Sequence, residues 1–193
     1  MPAYRSLRAR RFAGCFARAE RGATAVEFAL IALPFFILMF GLMELTVVLL
    51  ASTTLETATE IAARQIRTGE FQVSAANTKA GFKTLVCNKM SWLQPKCAAD
   101  LFVDVQTFSN FAALAVNAPV SGINFDPAAT CFSPGEPTDI VLVRTYFRWR
   151  LFTPLLNNAL ETMGSGSGMR LISSATAFRN EPYSENLPVG AKC

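Results

Sequence analysis

The sequence predicts an α+β fold. A long N-terminal helix, transmembrane in its first half and amphipathic in its second, packs on a small antiparallel sheet with accessory helices. Three observations predict it. An uncharged run from Phe28 to Met43 resumes after Glu44 and continues to Ala51. Beyond it, Leu55, Ala58, Ala62 and Ile66 recur at three- and four-residue steps. Further on, Leu101 to Phe108, Ile140 to Trp149 and Met169 to Phe178 read as strands.

The apolar run is long enough to cross a bilayer. A helix rises about 1.5 Å per residue and a hydrocarbon core is about 30 Å thick, so about 20 apolar residues suffice. Pro34 lies inside the run, removes one backbone donor and is expected to kink the helix near Leu30 to Leu33. Glu27, near the start, sits where negative charge suits the helix dipole close to the headgroups. Glu44 is expected to reach the far interface. A secretory signal has a shorter apolar region ending at small residues; this run continues into another helical pattern, so a retained anchor is expected.

Charge is unevenly placed. The 193 residues carry a net charge of +4. Up to Gly22, six arginines (Arg5, Arg8, Arg10, Arg11, Arg18 and Arg21) stand against Glu20 alone. Beside a span, such an arm holds the N-terminus in the cytoplasm. Nothing in it supports base recognition, so no nucleic acid partner is expected.

In chain order, one helix is expected from about Ala23 to Thr68, stopped by Gly69. Glu60 and Arg64 lie on its polar face. A second helix covers Ala75 to Met90, with Ala76, Ala80 and Val86 inward. In the first strand Leu101, Val103, Val105 and Thr107 point one way, Asp104 and Gln106 the other. Asn117 to Pro137 reads as a long loop. In the second strand Val141, Val143, Thr145, Phe147 and Trp149 oppose Arg144, Tyr146 and Arg148. Thr153-Pro154 starts a helix with an apolar stripe of Leu155, Leu156, Ala159, Leu160 and Met163. Gly164 to Gly168 is a flexible connector, without the Lys-Ser/Thr ending of a phosphate loop. Ser173, Ala175 and Ala177 are small and would let a helix approach the third strand closely.

Five cysteines are present. Cys15 precedes the span; Cys87, Cys97, Cys131 and Cys193 follow it, in an oxidising compartment if the arm is inside. Cys87 with Cys97 is the local pairing and leaves Cys131 with Cys193, the preferred one of three pairings. No Cys-x-x-Cys and no His is present, so no metal site is expected. Without His, acid–base chemistry would need carboxylates, and Asp100 and Asp104 on a strand stand about 13 Å apart. No catalytic residues and no cofactor are expected.

The stretch Gly22-Ala-Thr-Ala-Val-Glu27-Phe28 resembles the prepilin peptidase site of the tight-adherence (Flp) pilus system. There a glycine precedes the cut, a glutamate is fifth in the mature chain, and an aromatic follows. Counting from Ala23, Glu27 is fifth and Phe28 sixth, with Phe in place of the more usual Tyr. The wider pattern from Arg21 to Arg67 is similar to the TadE family of pseudopilins, and Arg179-Asn180-Glu181-Pro182 after the last strand also fits.

The resemblance implies a pilin-like fold and three regions. Residues 1–22 would be a cytoplasmic leader, 23–51 the transmembrane half of the helix, and 52–193 a periplasmic domain including the amphipathic half. It implies cleavage between Gly22 and Ala23 by a membrane peptidase. The mature chain would then be an inner-membrane minor pilin or pseudopilin, with other pilins and the pilus assembly platform as partners. Glu27 and Phe28 would serve assembly, Glu27 by meeting the α-ammonium of a neighbour. The alternative is an uncleaved, single-pass anchored periplasmic binding or scaffold module.

Overall fold

A computed structural model describes residues 20–112, 119–122, 124–153 and 157–183. Helix α1 runs from Glu20 to Arg67 and continues through Pro34. Among the described residues it is the one helix long and apolar enough to cross a membrane, and it fits a single-pass anchor. Its first half is exposed on all sides: Phe28 and Leu30, on opposite faces, are each 71% exposed. Such a surface is stable only in an apolar surrounding. The chain divides into two compact units, Met1–Met43 and Glu44–Cys193.

Within the second unit, one face of α1 is core. Val48, Ala51, Leu55, Ala58, Ala62, Ala63 and Ile66 are buried. This is the stripe the three- and four-residue spacing predicts, and its alanines let backbone and sheet approach closely. Thr59 joins it: its hydroxyl bonds Leu55 O at 2.7 Å and lies 2.7 Å from the Thr145 hydroxyl. Helix and central strand are thus tied by a satisfied polar contact inside an apolar layer.

Short helices follow: α2 (Glu70–Val73), α3 (Lys79–Lys89) and α4 (Gln94–Asp100). Helix α3 starts four residues later than the sequence pattern suggests, because Thr78 caps it by accepting Gly81 N–H at 3.0 Å. Its inward face is Phe82, Val86 and Cys87, while Ala76 and Ala80, expected inward, are exposed. Burying a phenyl ring removes far more apolar surface from water than burying two methyls.

The sheet has the order β1 (Leu101–Phe108), β4 (Ile140–Arg150), β5 (Met169–Arg179), all antiparallel. Between β1 and β4 lie the two-residue strands β2 (Val120–Ser121) and β3 (Asn124–Phe125). Strand β4 is central, with Val105 opposite Val143 and Phe147 opposite Ile172. Val103, Val105, Val141, Val143, Phe147 and Ile172 are buried in the core. On β5 the small residues fall on the other side: Ser173, Ala175 and Ala177 pair with Tyr146, Arg144 and Leu142 and are exposed. The close helix approach therefore comes from the alanines of α1, not from β5.

The second sheet face is not a solvated polar surface either. Asp104, Arg144 and Tyr146 on it are buried. The segment expected to be a loop covers them. Phe125 of β3 packs on Phe102 and Tyr146, with ring centroids 5.2 and 5.1 Å apart. Val105 donates its N–H to Cys131 O at 2.9 Å and accepts from Ser133 N–H at 2.8 Å.

After β4, α5 (Asn157–Leu160) is a single turn, and Leu155 and Leu156 of the expected stripe lie outside the described residues. The Gly164 to Gly168 connector is pinned: the Glu161 carboxylate accepts Gly166 N–H at 2.6 Å and Gly168 N–H at 3.0 Å.

Candidate functional site

The first candidate is the motif at the head of α1. Gly22 lies in open space. Ala23 and Glu27 are one helical turn apart, so they share a face. Glu27 and Phe28 are exposed amid apolar neighbours. A carboxylate in that setting is stable only with a headgroup, water or a cation at hand. Residues 1–19, the rest of the basic arm, lie outside the described residues.

Glu44 does not reach out to an interface. It is buried, and its two oxygens accept Phe152 N–H at 2.5 Å and Thr153 N–H at 3.0 Å. Those amides follow the end of β4 and have no strand partner there. One carboxylate answers both, and charge-assisted bonds of this kind are the strong ones. Glu44 thereby fastens α1 to the segment leaving the sheet.

The other end of α1 is closed by the segment after β5. Arg67 O accepts Glu181 N–H at 2.9 Å, and the two side chains pair at 3.3 Å in an exposed position. Gln72 Nε2 donates to Ile66 O at 2.9 Å and to Tyr183 Oη at 3.0 Å. Asn180, buried, donates to Pro134 O and Glu136 O, each at 3.0 Å. Gly69 has φ +81°, and a Cβ there would stand 2.7 Å from the Tyr183 ring. Burial raises the Tyr183 hydroxyl above its usual pKa, against the opposing bonds from Gln72 and Asn180.

The carboxylates weighed as an acid–base pair belong to separate ion pairs. Asp104 binds Arg144 through Nη2 at 2.6 Å and Nε at 2.8 Å, and accepts Cys131 N–H at 2.8 Å. Asp100 pairs with Arg148 at 3.3 Å. Lys79 donates to Thr130 O at 2.7 Å; burial lowers its pKa and Asp104 partly restores it. Among the described residues no group of three or more Cys, Asp or Glu is placed to hold a metal ion.

Cys87 of α3 and Cys97 of α4 form a disulfide with Cα atoms 5.6 Å apart. Cys131 is also disulfide-bonded. Cys193, the partner expected for it, lies outside the described residues, as does Cys15.

A family model described as TadE-like protein matches residues 22–64. This stretch of α1 is TadE-like. The match opens on Gly22 and takes in Ala23, Glu27, Phe28, Pro34 and Glu44, while the sheet lies outside it. No curated protein and no solved structure matches the chain. Within the TadE-like helix, sequence reasoning missed the partners of Glu44. The available signal was a lone carboxylate ending an apolar run, which has to find donors inside the fold if it is not in water.

Proposed function

We propose that this TadE-like protein is a minor pilin or pseudopilin acting in assembly of a tight-adherence (Flp type IV) pilus after its leader is removed. The observation that carries the reading is the TadE-like stretch opening at Gly22 on a helix whose first half is apolar and exposed. The prepilin peptidase cuts between Gly22 and Ala23. The cut takes away the arginine arm, which would hold the helix in the inner membrane, and frees an α-ammonium one turn from Glu27. In a bundle of parallel helices that ammonium meets Glu27 of a neighbour. A pair desolvated in lipid favours one register over others more than it adds affinity. Phe28 packs beside it, and the domain beyond Glu44 stands in the periplasm. The role is structural rather than catalytic, in keeping with Asp100 and Asp104 each being held by an arginine.

Mass spectrometry of the membrane protein tests this. In cells with the prepilin peptidase the chain starts at Ala23; without the enzyme, or with Gly22→Leu, it keeps its leader and pili are lost. A chain still beginning at Met1 in pilus-forming cells with active peptidase would leave a plain tethered module instead.

A further inference from the structure

The chain holds two tryptophans, and both lie in one patch. The Trp149 ring is 5.9 Å from Trp92 and 5.7 Å from Phe152. Phe152 is 61% exposed and Trp92 44%. The patch is tied to α1 at two points. Phe152 N–H is bound by Glu44, and Trp92 Nε1 donates to Thr54 Oγ1 at 3.2 Å. Glu44 directly follows Met43, the last residue of the uncharged run. The ten residues from Glu44 to Thr54 rise about 15 Å along a helix. The aromatic rings thus pack beside the Glu44 to Thr54 turns of α1.

Beside Trp149 is a cavity of about 290 Å³ lined by Lys96, Arg148 and Arg150, with Asp100 as its one lining carboxylate. It arises from the strand register. Strand β1 begins at Leu101 opposite Phe147, so the last residues of β4 run past its end. One buried donor of the lining residues, Trp149 Nε1, has no acceptor, while the Arg148 guanidinium is already bound by Asp100 and by Ala99 O. Trp149 is only 4% exposed, and a buried N–H without an acceptor is costly. An unanswered donor beside Lys96 and Arg150, with Asp100 already taken by Arg148, calls for an anion with several acceptor oxygens. The adjoining rings suit the boundary between lipid and water.

We propose that this patch rests on the outer leaflet and that the cavity takes the phosphate of an anionic phospholipid headgroup. The proposal rests on the reading of α1 as a membrane anchor. Trp92 and Phe152 enter the headgroup layer, Lys96 and Arg150 meet its negative charge, and Trp149 Nε1 donates to the phosphate. The domain is thereby held against the membrane until it is drawn into a fibre.

The native tryptophan fluorescence reports on this patch. The full chain is placed in micelles, in phosphatidylcholine nanodiscs and in nanodiscs rich in phosphatidylglycerol. Quenching by aqueous iodide is expected to fall by about threefold or more from micelles to phosphatidylglycerol discs, and less in phosphatidylcholine discs. A nitroxide at headgroup depth should quench more than one deep in the acyl chains. Lys96→Glu with Arg150→Glu, both exposed sites, should abolish the difference between the two lipids. Equal iodide quenching in discs and micelles, or equal protection by both lipids, overturns the proposal. So does the same protection from inorganic phosphate in micelles. Adding Phe36→Trp tests the anchor separately: the deep nitroxide quenches the added signal if α1 spans. Quenching there without protection of the native tryptophans removes this proposal alone; no quenching there removes the anchor as well.

Discussion

The carboxylate of Glu44 accepts the backbone N–H of Phe152 at 2.5 Å, and its second oxygen takes Thr153 N–H at 3.0 Å. A residue of the helix thus completes the hydrogen bonding of a segment more than a hundred positions later. Glu44→Ala leaves both amides without that acceptor and is expected to cost about 2–3 kcal/mol. Thermal unfolding in micelles should show Tm lower by about 5–10 °C. Glu44→Gln keeps one acceptor oxygen and should lose about half as much. An unchanged Tm for Glu44→Ala would mean that the two bonds contribute nothing.

Gly69 and Tyr183 form a steric lock at the other end of α1. Gly69→Ala meets two obstacles: a positive φ of +81°, and a Cβ 2.7 Å from the Tyr183 ring. The first costs about 1 kcal/mol, and the clash adds to it. In a Tyr183→Ala background only the first remains. A double-mutant cycle should therefore show coupling of about 1 kcal/mol or more between the two positions. Strict additivity in denaturant unfolding would contradict the lock.

How much of this was legible in the sequence depends on the range of the interaction that decides it. Helix α1 and the three long strands are set by local periodicity, and their observed ends fall within a few residues of those expected. The Leu55, Ala58, Ala62, Ile66 stripe is buried for the same reason. Short helices α2 and α4 carry too few residues to show a period. Of the inward face expected for the second helix, Val86 is buried, but Ala76 and Ala80 give way to Phe82 and Cys87, because that choice is set by what Phe82 meets across the core and not by spacing. The roles of Glu44, Asp104 and Gly69 depend on Phe152, Arg144 and Tyr183, partners that no local pattern names. In the candidate site the Gly22 to Phe28 motif is contiguous and could be read directly, whereas the Trp149 cavity exists only because β1 starts opposite Phe147, short of the last residues of β4.

The Asp104–Arg144 pair is buried beneath the segment 124–133, with side chains 0% and 9% exposed. Breaking such a pair from one side leaves an unmatched charge inside. Asp104→Asn is expected to cost about 3–5 kcal/mol. Arg144→Met should fall in the same range, and Asp104→Leu with Arg144→Met should cost clearly less than the two single changes together. The double variant does not return fully to the starting stability, because Cys131 N–H also loses its acceptor. Denaturant midpoints of the four proteins measure this; additive costs would show that the pair acts as two unrelated groups.

The Cys87–Cys97 bridge closes a sequence separation of 10 between α3 and α4. Loop-closure entropy for a loop of that size amounts to about 3 kcal/mol. Cys87→Ser with Cys97→Ser should lower stability by that order, and added reductant should then do less to the variant than to the native chain. Thiol labelling of protein from exported membranes should find both cysteines blocked before reduction.

Two tyrosines are expected to lower stability at alkaline pH. Burial raises Tyr146 above 10.0, aided by Asp104 and opposed by Arg144. Burial also raises Tyr183 above 10.0, opposed by its bonds from Gln72 and Asn180. For a group raised in the folded state, the stabilisation is complete below its ordinary value and is lost as pH climbs through the raised one. Lys79 and Lys83 are lowered from 10.5, first by burial, so their contribution has the opposite sign and increases as pH passes through their lowered values. That gain is finished once pH exceeds 10.5, the ordinary lysine value. The tyrosine contribution runs the other way from the ordinary tyrosine value upward, so any change left after the lysine gain is complete lowers stability. Tyrosinate absorbance should show two late transitions, each removed by Tyr146→Phe or Tyr183→Phe, and the double variant should flatten the alkaline loss of Tm. Titration of both tyrosines at the ordinary value in the folded protein would remove the basis for this pH dependence.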